Sequence, residues 1–218
     1  MPREYGAYAT AWRRHAQWSA DGTLERIWRT LLGMLDEQGK LDWSKGFIDG
    51  SFVAAEKGGD GVGPTKIGRG SKVMLVTEGH GLPIGLHVDS ATPHEMALVD
   101  ATLRSIRVPR PGRGRPKSRL RELVADKAYD SRPFRQSLRH RGIKPTIPVV
   151  RRPAHWRPRI GRPPVVGPHF TDRWKVERAN AWMDNHRRLL IRFERKLVNF
   201  RGFCLLALIL WCLRRLLK

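Results

Sequence analysis

Acidic residues and cysteines are the two things this sequence has little of. Only 20 Asp and Glu stand against 42 Lys and Arg, a formal net charge of +22 over 218 residues. A compact body with that much like charge repels itself unless a polyanion neutralises it. Nucleic acid is one polyanion that fits, since counterion release drives the association; a basic structural or ribosomal-type protein is the other reading. The two cysteines, Cys204 and Cys212, exclude a disulfide scaffold and a thiolate zinc site. On one helix they lie about 12 Å apart, too far to bridge, so they read as small core residues of a reducing compartment. Long apolar runs are also missing. Met1–Trp12 is polar and does not resemble a signal peptide, and Phe203–Leu213 falls short of the ~20 residues that span a bilayer. Basic residues flank that run, so it is expected to be a buried helix and no membrane partner is expected.

What is present orders itself along the chain. Leu24, Ile27, Trp28, Leu31, Leu32 and Leu35 recur at helical spacing after an Asp21-Gly22 break, with a shorter helix expected over Ala9–Trp18. The pair fits either part of a helix-turn-helix or a helical hairpin covering the sheet. Residues 46–53 read as a strand and Gly58–Gly70 as a loop. Lys72–Thr77 and Leu82–Asp89 read as a hairpin, and Pro93–Ile106 as a helix. Val108–Ser118 is a Pro/Gly/Arg loop, Glu122–Ala125 a buried strand, Arg132–Arg141 a helix and Lys144–Val149 a strand. Arg151–His169 is Pro- and Arg-rich and irregular, and Phe170–Lys196 is expected to be one long helix before the apolar C-terminal one. This order predicts an α/β fold, a mixed β-sheet flanked by helices.

In so basic a chain, carboxylates inside apolar strands need a cation. Asp49 lies between Ile48 and Phe52, and Asp126 ends Leu123-Val124-Ala125. The cation is either a nearby arginine or a divalent metal. Glu177 is expected at the edge of a core-facing stripe of Trp174, Ala181, Trp182, Leu189, Phe193 and Leu197, with Arg173 one turn before and Asn180 one turn after. A solvated Arg173–Glu177 pair is the plainer reading of that spacing. Three carboxylates without a Cys/His cluster suit hard ions, Mg²⁺ or Mn²⁺. Two such ions about 3.5–4 Å apart activate an attacking oxygen and stabilise a leaving one at phosphorus.

Four passages carry a resemblance: IDGSFV at 48–53, ATPHEMALVDATL at 91–103, VADKAYDS at 124–131 and RWKVERANAWMDNHRRLLIRFERK at 173–196. Together they resemble the DDE-type transposases of bacterial insertion sequences, whose catalytic core is ribonuclease-H-like. The separations of 77 residues (126 − 49) and 51 residues (177 − 126) suit that group. The resemblance implies Asp49, Asp126 and Glu177 as the three catalytic, metal-holding carboxylates, and two Mg²⁺ or Mn²⁺ ions. It implies cleavage at transposon ends and strand transfer into double-stranded target DNA by a homodimer or larger synaptic complex in the bacterial cytoplasm, associated with the nucleoid. A non-catalytic regulator of transposition and a related nuclease or resolvase are the alternatives. Phe170 stands where the family's signature has a tyrosine, and Asp184 where it has a lysine, for which Arg187 or Arg188 is a substitute. The resemblance also implies residues ahead of Pro2–Trp28, so the chain is read as N-terminally short. The divisions expected are 1–40, a partial DNA-binding helical segment; 41–200, the catalytic domain; and 201–218, an apolar helix packed on it.

The DNA contacts expected are Arg113, Arg115 and Lys117 in one loop, Arg151, Arg152 and Arg157 around Trp156, and Arg173, Arg187 and Arg188. Arg113-Gly114-Arg115-Pro116 resembles a minor-groove-reading core; phosphate contact is the simpler role. His94 and His169 are expected to be hydrogen-bonded structural residues.

Overall fold

The computed structural model describes residues 2–149 and 168–217. Arg151, Arg152, Trp156 and Arg157 lie outside the described residues. The chain opens with α1 (Tyr8–Ala20) and α2 (Thr23–Glu37), joined across Gly22, whose φ of 76° suits a residue without Cβ. Leu24, Trp28, Leu31, Leu32 and Leu35 fall at helical spacing and are buried, as expected, while Ile27 is exposed. The following elements are β1 (Gly46–Ala55), β2 (Gly63–Thr65), β3 (Gly68–Glu78), β4 (Pro83–Ser90) and α3 (Glu95–Arg104). Then come β5 (Glu122–Val124), α4 (Arg132–His140) and β6 (Lys144–Thr146), and finally α5 (Trp174–Asp184), α6 (Arg187–Leu190), β7 (Ile191–Arg192) and α7 (Leu197–Leu216).

The strands form one mixed sheet, so the α/β class and the helix-flanked sheet are as anticipated. β3 runs antiparallel to β1 along Gly46–Ala54 and to β4 on its other side, and β5 and β6 continue parallel to β1 and to each other. The register of β1 explains where the sheet opens. β5 pairs with β1 only at Gly46 and Phe47, and β7 only at Ala54 and Ala55. Between them, on the edge away from β3, residues 48–53 have no strand partner among the described residues. Phe47 and Ile48 are fully buried, and exposure begins at Asp49.

Two expectations need correction. The supposed loop at 58–70 contains β2 and the start of β3. The long helix expected over Phe170–Lys196 is instead a 3₁₀ segment (Pro168–Arg173), α5, α6 and β7. Tertiary contacts override local helical preference here. Ile191 turns extended to pair with Ala54, and the fully buried Arg192 guanidinium donates to the carbonyls of Gly61, Asp60, Glu194 and Arg195 and to Ser71 Oγ. That break also shifts the buried stripe of α5 to Val176, Ala179 and Met183, leaving Trp174 and Ala181 exposed.

α7 packs on both α1 and α2. By length and apolar composition alone its 20 residues suffice to cross a bilayer, longer than the run first read, yet half of its most apolar window is buried inside the fold. Cys204 and Cys212 are unpaired and buried there, and burial pushes both thiols up to about 12.

Candidate active site

The opening in the sheet is where the expected carboxylates gather. Gly46 pairs with Leu123 and Phe47 with Val124, an offset of 77 residues. The same offset separates Asp49, inside β1, from Asp126, just past the end of β5 (126 − 49 = 77), so the two fall level when the register is extended by two residues. Asp126 is half-buried, and its Oδ1 accepts from the backbone N–H of Lys127 at 2.6 Å, capping a 3₁₀ turn over Lys127–Tyr129.

Asp49 points to the face covered by α5. Its Oδ2 accepts from Asn180 Nδ2 at 3.2 Å, and its Oδ1 lies 3.6 Å from Arg173 Nη1, beyond hydrogen-bond reach. With a side chain only 21% exposed, it is under-compensated. Burial pushes its carboxyl up to about 6; Arg173 and a hydrogen bond from the Gly50 backbone pull it down, and the negative charges of Glu95 and Glu177 push it further up. Beside it, Asn180 Oδ1 is a buried acceptor with no partner among the described residues. Buried amide oxygens in this position cost free energy unless a donor or cation arrives.

Glu177 lies on α5 one turn before Asn180 and is 51% exposed, bonded to Arg173. That is the i,i+4 pair which the spacing also allowed. Arg173, expected among the DNA contacts, is four-fifths buried and bridges Asp49 and Glu177. It is a neutralising cation inside the site and does not face outward. The three carboxylates therefore share one opening without closing on one point: among the described residues, no three His, Cys, Asp or Glu side chains stand together as a metal-holding group.

Two residues join this site that sequence reasoning did not single out. Glu95, at the first turn of α3, reaches the other face of β1. Its carboxyl is so close to Gly50 that a Cβ there would stand 2.9 Å from Glu95 Cδ. Glu95 Oε2 accepts a 2.6 Å hydrogen bond from Tyr129 Oη, and burial and then Glu95 push the Tyr129 phenol strongly upward. Both lie in the passages at 91–103 and 124–131, which was the available signal.

The remaining expected residues divide between used and available charge. Arg113 and Arg115 are exposed on the loop before β5. Lys117 pairs with Asp36 at 3.0 Å and sits over the Trp43 ring. Arg188 pairs with the buried Glu194 and stacks on Phe193 and Phe203, whereas Arg187 is exposed. Asp184 ends α5, partly exposed, with its carboxyl raised by burial. His169 Nδ1 lies 3.3 Å from Lys45 Nζ, a structural contact as expected. His94 has no such bond; it is exposed at the start of α3. A cavity of about 540 Å³ beside the loop is lined by Arg104, Arg107, Arg115, Arg119 and Arg141.

The family described as the transposase DDE domain matches residues 43–213, more than half of the chain. This chain belongs to the DDE transposase family. Over 153 residues it is 36% identical to a putative transposase for insertion sequence element IS402 from Burkholderia cepacia, an alignment covering 70% of this chain and 67% of that protein. A piggyBac transposase, in a synaptic complex with hairpin DNA, aligns over 76% of this chain and 45% of its own, with a TM-score of 0.48 and 9% identity. This chain thus spans less than half the length of that one. The opening between β5 and β7 lies within the matched transposase DDE domain, as do Asp49, Asp126 and Glu177.

Proposed function

We propose that this chain is a DNA transposase that cuts phosphodiester bonds at transposon ends and joins the freed 3′-hydroxyls to target DNA. Asp49, Asp126 and Glu177 are its acidic residues in this reading. The observation that carries it is the parallel register of β1 and β5, whose 77-residue offset also separates Asp49 from Asp126, with the partly buried Asp49 carboxyl beside an amide oxygen that has no partner among the described residues. An all-oxygen donor set of this kind fits a hard divalent cation, Mg²⁺ or Mn²⁺. Asp49 and Asp126 would hold it, with Glu177 completing a second position. Bound ions supply charge neutralisation at phosphorus and a more acidic attacking water or hydroxyl.

The chain's own residues do the rest. Asn180 orients Asp49 by donating to Oδ2. Arg173 neutralises Asp49 and Glu177, and Glu177, exposed at the rim, would complete the holding of a bound cation once its pairing with Arg173 is given up. Arg113, Arg115 and Arg187 bind phosphates, and Arg151, Arg152 and Arg157 are assigned the same role from the sequence. Joining two DNA ends requires a homodimer or larger synaptic complex in the bacterial cytoplasm. Residues 41–200 form the catalytic domain, 1–40 a helical segment that takes part in DNA binding, and 201–218 belong to the closing helix.

A second reading has one observation in its favour. Arg173 bridging Asp49 and Glu177 describes a site where an arginine already supplies the positive charge, as in a non-catalytic DNA-binding regulator, and Asp184 stands where the family's signature has a lysine. Incubating the protein with Mg²⁺ or Mn²⁺ and DNA bearing the element's terminal repeats decides between them. Cleavage with joining is expected, and Asp126→Ala abolishes it while leaving salt-dependent DNA binding intact. Binding without cleavage supports the regulator, and cleavage without joining supports a nuclease or resolvase.

A further inference from the structure

The acidic pair depends on β1 and β5 keeping their register, yet β5 is only three residues long and its pairing with β1 stops two residues before the aspartates. Something else must set the height of Asp126 relative to Asp49. The 3₁₀ turn that follows Asp126 is a rigid extension of it: Asp126 caps the turn through its side chain, and Tyr129 N–H donates to the Asp126 carbonyl at 3.0 Å. Tyr129 is buried, and its hydroxyl reaches across to Glu95. Glu95 in turn lies against the backbone of Gly50, the residue next to Asp49 on the chain.

We infer that Glu95 and Tyr129 form a positioning strut which locks the Asp126 turn onto β1 and fixes the spacing of the two aspartates. The path is continuous, from Asp126 through the turn to Tyr129, through a 2.6 Å hydrogen bond to Glu95, and through close contact to Gly50. Gly50 has no positive φ, so its lack of a side chain is not required by backbone conformation. The space it leaves is filled by the Glu95 carboxyl and by Met74 Sδ, which a Cβ would approach to 2.9 and 2.7 Å. A glycine at this point of a strand weakens the strand unless something must come close. Here the strut is what comes close. Placing a second carboxylate beside Asp49 in a basic protein also raises local negative charge, a cost offset when a cation binds nearby. Neither residue touches the reacting phosphate in this assignment; both act through the aspartates.

The inference rests on the metal-dependent reading above, and the test separates the two. Mn²⁺ affinity of the full chain is measured without DNA, by electron paramagnetic resonance of free ion, for wild type, Tyr129→Phe, Glu95→Gln and Glu95→Ala. Melting curves and salt-dependent DNA binding accompany each. Residues that orient metal ligands cost about 10-fold or more in affinity when removed. Tyr129→Phe keeps the ring and the Glu95 charge and removes only the hydrogen bond; about tenfold weaker Mn²⁺ binding is expected, with DNA binding unchanged. Glu95→Gln keeps an acceptor for Tyr129 and is expected to lose less affinity than Glu95→Ala. If Tyr129→Phe binds Mn²⁺ like wild type, or if Glu95→Gln and Glu95→Ala lose equally while Tyr129→Phe loses nothing, the strut is wrong and the metal site stands. If wild type itself binds no Mn²⁺, the metal-dependent reading fails and takes the strut with it.

Discussion

Asp49 and Glu78 are carboxylates on neighbouring strands of one sheet, and they are treated oppositely. Glu78, at the end of β3, is fully buried. Its Oε2 accepts from the backbone N–H groups of Asp42 and His80 at 2.7 and 3.0 Å, and its Oε1 from that of Leu82 at 2.8 Å. Those donors close the β3–β4 turn around it. Asp49 is partly buried and has fewer donors: the Asn180 amide, the backbone N–H of Gly50, and an arginine 3.6 Å away. The fold has the means to satisfy an interior carboxylate and does so at Glu78. At Asp49 it leaves the charge under-matched, as sites that receive a cation do.

The largest expected effect tests the Asp49 half of this contrast. Asp49→Asn removes the charge and keeps the shape. Cleavage is expected to fall by about 10³-fold or more, the scale on which essential catalytic groups act. Stability should move the other way. The folded protein raises this carboxyl from 3.8 to about 6, so it disfavours the ionised form relative to the unfolded chain. The penalty is absent below pH 3.8, grows between 3.8 and 6, and is complete above 6. In metal-free protein the Asn variant is therefore expected to gain stability over wild type as pH rises through that window, by up to about 2 kcal/mol after allowance for partial exposure. Denaturant titrations at pH 4 and pH 7.5 measure it; an Asn variant less stable than wild type at the higher pH would break the contrast.

Glu78→Gln tests the other half. An amide NH₂ replaces one acceptor and faces backbone donors that have no other partner. Each such mismatch costs about 1–3 kcal/mol, so a loss of about 3 kcal/mol is expected in the same titrations. The DNA-binding salt dependence of the folded variant should be unchanged.

A smaller effect is expected at Gly50. Gly50→Ala drives a methyl into Glu95 and Met74. If crowding there displaces the Glu95–Tyr129 bond, Mn²⁺ affinity falls about three- to tenfold, in the range of orienting residues, with far less loss of cleavage than in Asp49→Asn. An unchanged Mn²⁺ affinity would show that the contact between Gly50 and Glu95 is incidental.

How much of this could be read in advance follows from the range of the contacts. The buried stripe of α2, the β3–β4 hairpin and the strand holding Asp49 are written in local period and turn residues, and the structure has them. The 77-residue spacing of Asp49 and Asp126 also carried information, since it equals the register of two parallel strands. What stayed hidden was set by distant partners. The break after Asp184 depends on β7 finding β1 and on Arg192 finding carbonyls more than a hundred residues away. Arg173 looks like a surface residue in sequence because the carboxylate that draws it inward lies 124 residues earlier (173 − 49). Glu95 lies in the passage at 91–103, but its partners, Gly50 and Tyr129, lie on two other elements and local pattern does not name them.

The same distinction between matched and unmatched charge orders the basic loop, where the smallest effects are expected. Arg113, Arg115 and Lys117 look alike in sequence, yet Lys117 is held by Asp36 and Trp43 while the two arginines are exposed. A cation engaged within the fold has no counterion-releasing contact to make with DNA. Arg113→Ala and Arg115→Ala are each expected to lower the slope of log affinity against log salt by about one. Lys117→Ala should leave that slope unchanged and instead reduce stability by about 0.5–1 kcal/mol, through the lost ion pair and cation–π contact. DNA titrations at several salt concentrations and one melt per variant measure both quantities. A Lys117 variant with the same slope change as the arginines would mean that DNA strips this lysine from Asp36, and that partners seen in the free protein do not predict which charges it uses.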